Sequence, residues 1–301
     1  FSNLPTLRVA ALIGGASKSH RFADDDARQL AAQLKSLAMQ GIGVMATDVH
    51  VLLEHSNRGK KSIGLDLATN DGVRQIGGRD RSSGNRDTEN LKRPADVFVH
   101  PRTVEVFVAD GYGNTRVLVL DGRTGRFKRM WGAFGKVPID APTLQPGARR
   151  PFPPLSTEGP GPDQFDVVHA LTVSRDGLVY VADRQHRRIQ VFTLDGRYQT
   201  QVFINRETTS PRTGGGFAFS PARDQRFLYV ADFDNGQVVI LDRRSLQVVG
   251  SFGRRGARPG DFQSLHNVAS DSKGNLYTAE VAPGARLQKF RLKGPALRGT
   301  P

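Results

Sequence analysis

One tripeptide organises most of this chain. Val-Ala-Asp occurs at Val108-Ala109-Asp110, Val181-Ala182-Asp183 and Val230-Ala231-Asp232. Thr278-Ala279-Glu280 is a diverged fourth copy, and Ala46-Thr47-Asp48 an earlier candidate. From Asp110 onward the copies stand about 48 residues apart, once a Pro/Gly-rich insert at residues 136–160 is set aside. A fixed period of this length is the mark of a repeat architecture, in which each unit buries its apolar face only against its neighbours.

Each unit reads as four short strands. In the second, Ala170-Leu171-Thr172-Val173 is followed by a turn at Asp176-Gly177 and then by Leu178-Val179-Tyr180-Val181. After Ala182-Asp183 come an alternating strand, Arg188-Ile189-Gln190-Val191-Phe192, a turn at Asp195-Gly196, and a last strand near residues 199–204. Period-two alternation bounded by Gly and Asp is the hairpin signature, and four strands in about 48 residues is one propeller blade. The expected fold is therefore an all-β propeller over residues 91–293, with residues 294–301 as a tail. Asp110, Asp183 and Asp232 end the second strand of their blades and read as structural residues bonding the turn that follows. His100 and His186 fall in turns and read as solvated.

Residues 1–90 are different. Asp24-Asp25-Asp26 precede an apolar periodicity through Ala38, and Gly41 follows, which predicts a helix near residues 24–40. Residues 8–15 and 42–46 read as strands. Two organisations fit: one βαβ unit, or one degenerate blade containing Asp48 with residues 8–15 as a strand that closes the ring against C-terminal strands. The second is the preferred expectation.

Composition narrows the chemistry. There is no cysteine, which excludes disulfides, thiolate metal sites and cysteine catalysis. No apolar stretch approaches the 18 or so residues of a membrane span. The chain opens on Phe1 and lacks an obvious leader, and with the absence of cysteine this suits a processed, exported bacterial protein, periplasmic or secreted. The net charge of +14 points toward acidic partners or polyanions. The basic pairs, Arg149-Arg150, Arg187-Arg188, Arg243-Arg244 and Arg254-Arg255, are however scattered and not interleaved with aromatics, so nucleic acid is not the expected partner.

The blades resemble NHL-repeat propellers, and more narrowly the peptidyl-hydroxyglycine amidating lyases. The resemblance is carried by Val108-Ala109-Asp110-Gly111-Tyr112-Gly113-Asn114-Thr115-Arg116, Val168-His169-Ala170-Leu171, Val181-Ala182-Asp183-Arg184 and Leu265-His266-Asn267-Val268. It implies six blades, of which four are clear in the sequence and one is diverged. It also implies an axial zinc ion held by histidines from three blades, a calcium ion supporting the centre, and a catalytic tyrosine beside arginines. Carried over residue by residue, His169 and His266 match two zinc ligands, Tyr112 the tyrosine and Arg184 an arginine.

The spacing agrees with part of this. His169 precedes Asp183 by the same 14 residues by which His266 precedes Glu280, so both occupy one point in their blades. Two imidazoles from different blades could face one ion, leaving open positions for chemistry. The pattern also departs from the family: the expected third-ligand position is Leu34, and Asn267 stands where the lyases have an aspartate. The sequence-based expectation is a non-catalytic propeller that binds a protein or small-molecule ligand on one face, with a degenerate central metal site. The alternatives are a zinc-dependent lyase cleaving a carbon–nitrogen bond in a small carbinolamide-like substrate, and a polyanion-binding propeller.

Overall fold

The computed structural model describes residues 8–12, 43–47, 63–65, 73–78, 81–140, 158–208, 215–220 and 224–291. Within them the protein is almost entirely β. One 3-10 turn, Ala133–Gly135, interrupts the strands. The helix expected near residues 24–40, most of the insert at 136–160 and the tail at 294–301 lie outside the described residues.

Four antiparallel sheets follow one another along the chain. The first blade is β5 (Asp96–Val99), β6 (Glu105–Asp110), β7 (Arg116–Asp121) and β8 (Phe127–Trp131), paired in that order. The second is β9 (Val168–Val173), β10 (Leu178–Asp183), β11 (Arg188–Thr193) and β12 (Tyr198–Phe203). The third is β13 (Phe217–Phe219), β14 (Phe227–Asp232), β15 (Gln237–Asp242) and β16 (Val248–Phe252). The fourth has three strands, β17 (Leu265–Ser270), β18 (Leu276–Glu280) and β19 (Leu287–Phe290). Strands β5, β9, β13 and β17 touch one another in sequence, so the first strand of every blade is its innermost. This is a propeller, its strands where the repeat predicts them.

Upstream lie two small sheets. Strand β1 (Arg8–Leu12) pairs in parallel with β2 (Gly43–Thr47), and β3 (Ile63–Leu65) pairs with β4 (Val73–Gln75) in antiparallel fashion. The preferred expectation for residues 8–15 therefore needs correction. Residues 8–12 pair with β2 rather than with C-terminal strands, and a parallel pair is the arrangement of a βαβ unit, not of a blade.

The cores sit between blades. Phe107, Val117, Val119 and Trp131 of the first blade bury themselves against Val168, Leu171, Val179, Val181 and Phe192 of the second. Tyr180, Ile189 and Val191 meet Leu228, Val230, Val239 and Leu241 of the third, and Ala231 and Val238 meet Phe262, Leu265 and Val268 of the fourth. Fully burying one such side chain stabilises by roughly 1.5–3 kcal/mol, so each blade depends on its neighbours.

The carboxylate after each Val-Ala does more than bond its turn. Asp110 Oδ2 accepts from Arg116 Nε at 2.9 Å and Asp183 Oδ2 from Arg188 Nε at 2.8 Å, with all four side chains fully buried. Glu280 pairs in the same way with Arg286. Each arginine then fans out to carbonyls of the loop leading into its own blade: Arg116 to Asn85, Asp87 and Asn90, Arg188 to Pro160 and Pro162, Arg286 to Ala257 and Asp261. The second carboxylate oxygen accepts a backbone N–H of the same loop, Lys92 in the first blade and Asp166 in the second. The third blade has Gln237 in the arginine's place, and Asp232 accepts from the side-chain amides of Asn205, Asn235 and Gln237. Burial holds its carboxyl above the ordinary range.

His186 and His100 are also corrected by the structure. Both are buried, not solvated. His186 Nδ1 pairs with Asp183 Oδ2 at 2.9 Å, and His100 Nδ1 lies 2.9 Å from the Thr103 hydroxyl and accepts the Thr103 N–H.

Candidate functional site

Four side chains singled out in the sequence come together where the innermost strands meet. Local backbone explains why the histidines are there. In the second blade Ala182 pairs with Ala170 but Asp183 pairs with Val168, leaving His169 as the extra residue of a β-bulge. In the fourth, Ala279 pairs with Asn267 and Glu280 with Leu265, so His266 is the extra residue of an equivalent bulge. In the third blade Gly215 and Gly216 share Ala231 in the same way, through Gly215 N–H to Ala231 O and Ala231 N–H to Gly216 O. A bulge re-aims its side chain out of the alternating pattern. Here it carries both imidazoles toward each other.

Glycines let these bulges approach. A Cβ on Gly215 would stand 2.3 Å from the carbonyl oxygen of His266, and one on Gly111 would stand 2.0 Å from the carbonyl oxygen of Val168. At those distances only a hydrogen fits. Gly111 opens the first-blade segment that presents Tyr112.

The rings of His169 and His266 meet edge to face, centroids 4.7 Å apart and planes inclined at 64°. Both residues are buried. His169 Nδ1 lies 2.8 Å from the carbonyl oxygen of Gly215. A carbonyl only accepts, so Nδ1 carries the proton of this hydrogen bond. Tyr112 packs its ring against His169 at 5.6 Å. Arg184, the residue after Ala182-Asp183, donates from one terminal nitrogen to the Tyr112 phenolic oxygen at 3.0 Å, its guanidinium carbon 5.2 Å from the ring centre. Phe233, the residue after Ala231-Asp232, stands edge-on to His266 at 6.0 Å. The sequence reading missed it, although its place after Ala-Asp, shared with Arg184, was a usable signal.

The donor set can be weighed against the expected metals. Two imidazoles from different strands suit a borderline-soft ion such as zinc, and the His169 Nδ1–H bond to a backbone carbonyl is the outer-shell partner that such ligands usually have. They amount to two ligands. Among the described residues no group of three His, Cys, Asp or Glu side chains could hold an ion, and Leu34 lies outside them. Asn267 Oδ1 accepts the N–H of Val268.

The relatives follow. Rat peptidylglycine alpha-amidating monooxygenase is 33% identical over 223 residues, which is 72% of this chain and 20% of the rat protein. The Drosophila melanogaster peptidyl-alpha-hydroxyglycine alpha-amidating lyase 1 is 28% identical over 64% of this chain and 35% of its own length. Human NHL repeat-containing protein 3 is 26% identical over 65% of this chain and 49% of its own. This is an NHL-type propeller resembling the amidating-lyase family. The propeller thus spans between about a fifth and a half of the length of these relatives. No protein-family model matches it. Virginiamycin B lyase from Staphylococcus aureus, a solved structure, aligns with a TM-score of 0.45 and 13% identity over 78% of this chain and 64% of that chain. No helix among the described residues is long and apolar enough to cross a membrane.

Proposed function

We propose that this propeller is a carbon–nitrogen lyase of the amidating type, cleaving an N-acyl α-hydroxyglycine into a primary amide and an aldehyde acid. What supports the reading is one observation: Tyr112, His169, Arg184 and His266 come from three blades yet form one continuous set of contacts. The inter-blade cores do not account for this set, which is polar and aromatic around two buried imidazoles.

The roles follow from the chemistry of each group. Arg184 offers a planar fork of donors matched to the substrate carboxylate. Its donor to the Tyr112 oxygen stabilises negative charge there, so the phenolate can take the carbinol proton. The C–N bond then breaks, its electron pair going to the amide nitrogen, while the carbinol oxygen becomes the aldehyde carbonyl. Tyr112 returns the proton to that nitrogen, and the step balances without a co-reactant. His169 and His266 are the residues that would hold a zinc ion, which when bound supplies Lewis-acid polarisation of a substrate oxygen.

The test is release of the aldehyde acid from an N-acyl α-hydroxyglycine by the purified protein, with zinc and calcium measured by elemental analysis. Turnover that is lost in Tyr112→Phe, with about one zinc per chain lost in His169→Ala, supports the reading. Absence of turnover after zinc is supplied overturns it. That outcome leaves a second reading, a ligand-binding propeller, which the presence of two rather than three ligands among the described residues and Asn267, standing where the resemblance implies an aspartate, favour.

A further inference from the structure

Phe233 is a large aromatic residue in an unexpected place. It follows Ala231-Asp232 as Arg184 follows Ala182-Asp183, so the same register position presents a cation in one blade and an apolar ring in the next. It is half-buried and, among the described residues, lies outside both apolar clusters flanking the third blade. Its ring faces His266, with centroids 6.0 Å apart and planes at 83°. The contacts run in order from Arg184 to Tyr112, His169, His266 and Phe233. One end of the series is cationic and the other apolar, with the imidazole pair between them.

From this order we infer that Phe233 is a specificity-determining residue, a wall for the acyl side of the substrate that favours an apolar side chain on the residue becoming the amide. The inference rests on the lyase reading. A carboxylate held at Arg184 and a carbinol carbon at Tyr112 and the imidazoles leave the acyl group to extend toward the remaining end of the series. An aromatic face there gains by burying apolar surface and gains nothing from an amide, which must give up water without a hydrogen-bonding partner.

The experiment compares kcat/KM for two peptidyl-α-hydroxyglycines that differ only in carrying leucine or asparagine next to the α-hydroxyglycine. The wild type is expected to favour leucine by about tenfold, the scale on which apolar pockets discriminate. In Phe233→Ala the preference falls to about twofold, and Phe233→Leu keeps most of it. Phe233→Gln, which fills the space without an apolar ring, loses the preference too and replaces the alanine variant should that one fail to fold. Equal turnover of both substrates by the wild type, or an unchanged preference in the alanine or glutamine variant, overturns the inference and leaves the lyase reading standing. Turnover of neither substrate by the wild type sinks the lyase reading, and the inference with it.

Discussion

His169 and His266 meet edge to face with ring centroids 4.7 Å apart, each of them the extra residue in a bulge at the start of an innermost strand. Their meeting depends on the third blade, which lies between them in the chain. Gly215 accepts the Nδ1 proton of His169 on its carbonyl, and its missing side chain is what lets the His266 backbone come close.

Replacing that glycine is therefore a sharp probe. Gly215→Ala puts a methyl 2.3 Å from the His266 carbonyl oxygen, and backbone must shift to relieve it. We expect a loss of about 1–3 kcal/mol, as for overpacked sites, together with, on the lyase reading, weaker zinc uptake. Denaturant unfolding and metal titration check the two effects separately, and wild-type values for both would show that the bulges can part without cost.

Tyr112→Phe keeps the ring against His169 and removes only the oxygen that Arg184 binds. On the lyase reading kcat falls by about 10²–10⁴, the usual worth of a positioned proton-transfer group, while the melting temperature stays within a degree or two of the wild type. A kcat that barely moves would take the phenol out of the chemistry. Arg184→Lys is expected to raise KM more than it lowers kcat, because an ammonium cannot reproduce the fork that grips a carboxylate.

The arginine clamps carry stability. Arg188→Gln leaves the fully buried Asp183 carboxylate without its guanidinium partner, with His186 still beside it, and frees the loop carbonyls of Pro160 and Pro162. Breaking a buried pair in this way costs about 3–5 kcal/mol. Gln237→Ala, at the equivalent point of the third blade, removes a single amide contact to Asp232 and should cost about 1 kcal/mol. Urea midpoints of the two variants test the contrast, and equal losses would contradict it.

Acid should unfold the protein partly through Glu105. Hydrogen bonds from Arg129, reinforced by Lys128, hold its carboxyl at about 2 against an ordinary value of 4.5. Because the folded value is depressed, the stabilisation is fully present above pH 4.5 and is lost as pH falls toward 2. Arg129 also donates to the carbonyl of Leu194 in the second blade, so the pair ties two blades together. Glu105→Gln should lower stability at pH 7 and flatten its slope between about pH 4.5 and 2. A slope identical to wild type would assign the acid sensitivity elsewhere.

Much of this protein was legible in one dimension. The Val-Ala-Asp period and the two-residue alternation located the strands of four blades, because a blade's local pattern is repeated and each copy reports on the others. Matching distances from His169 to Asp183 and from His266 to Glu280 placed both histidines at one point of the repeat. Three things needed the folded chain. The aim of the histidines was set by bulges, which arise from how two strands pair and leave no mark on alternation. Arg116, Arg188 and Arg286 counted in the sequence as net charge; the structure shows the first two buried, the third partly so, and all three engaged within their own blades, because their partners are loop carbonyls that have no sequence signature. Residues 8–12 formed a plausible strand, but only long-range pairing decides which strand accepts it, and it joined Gly43–Thr47 in parallel. The sequence by itself determined the blades, since their information is local and periodic. The tertiary structure decided the centre, because four blades meet there and each contributes a residue or two that only close packing brings into contact.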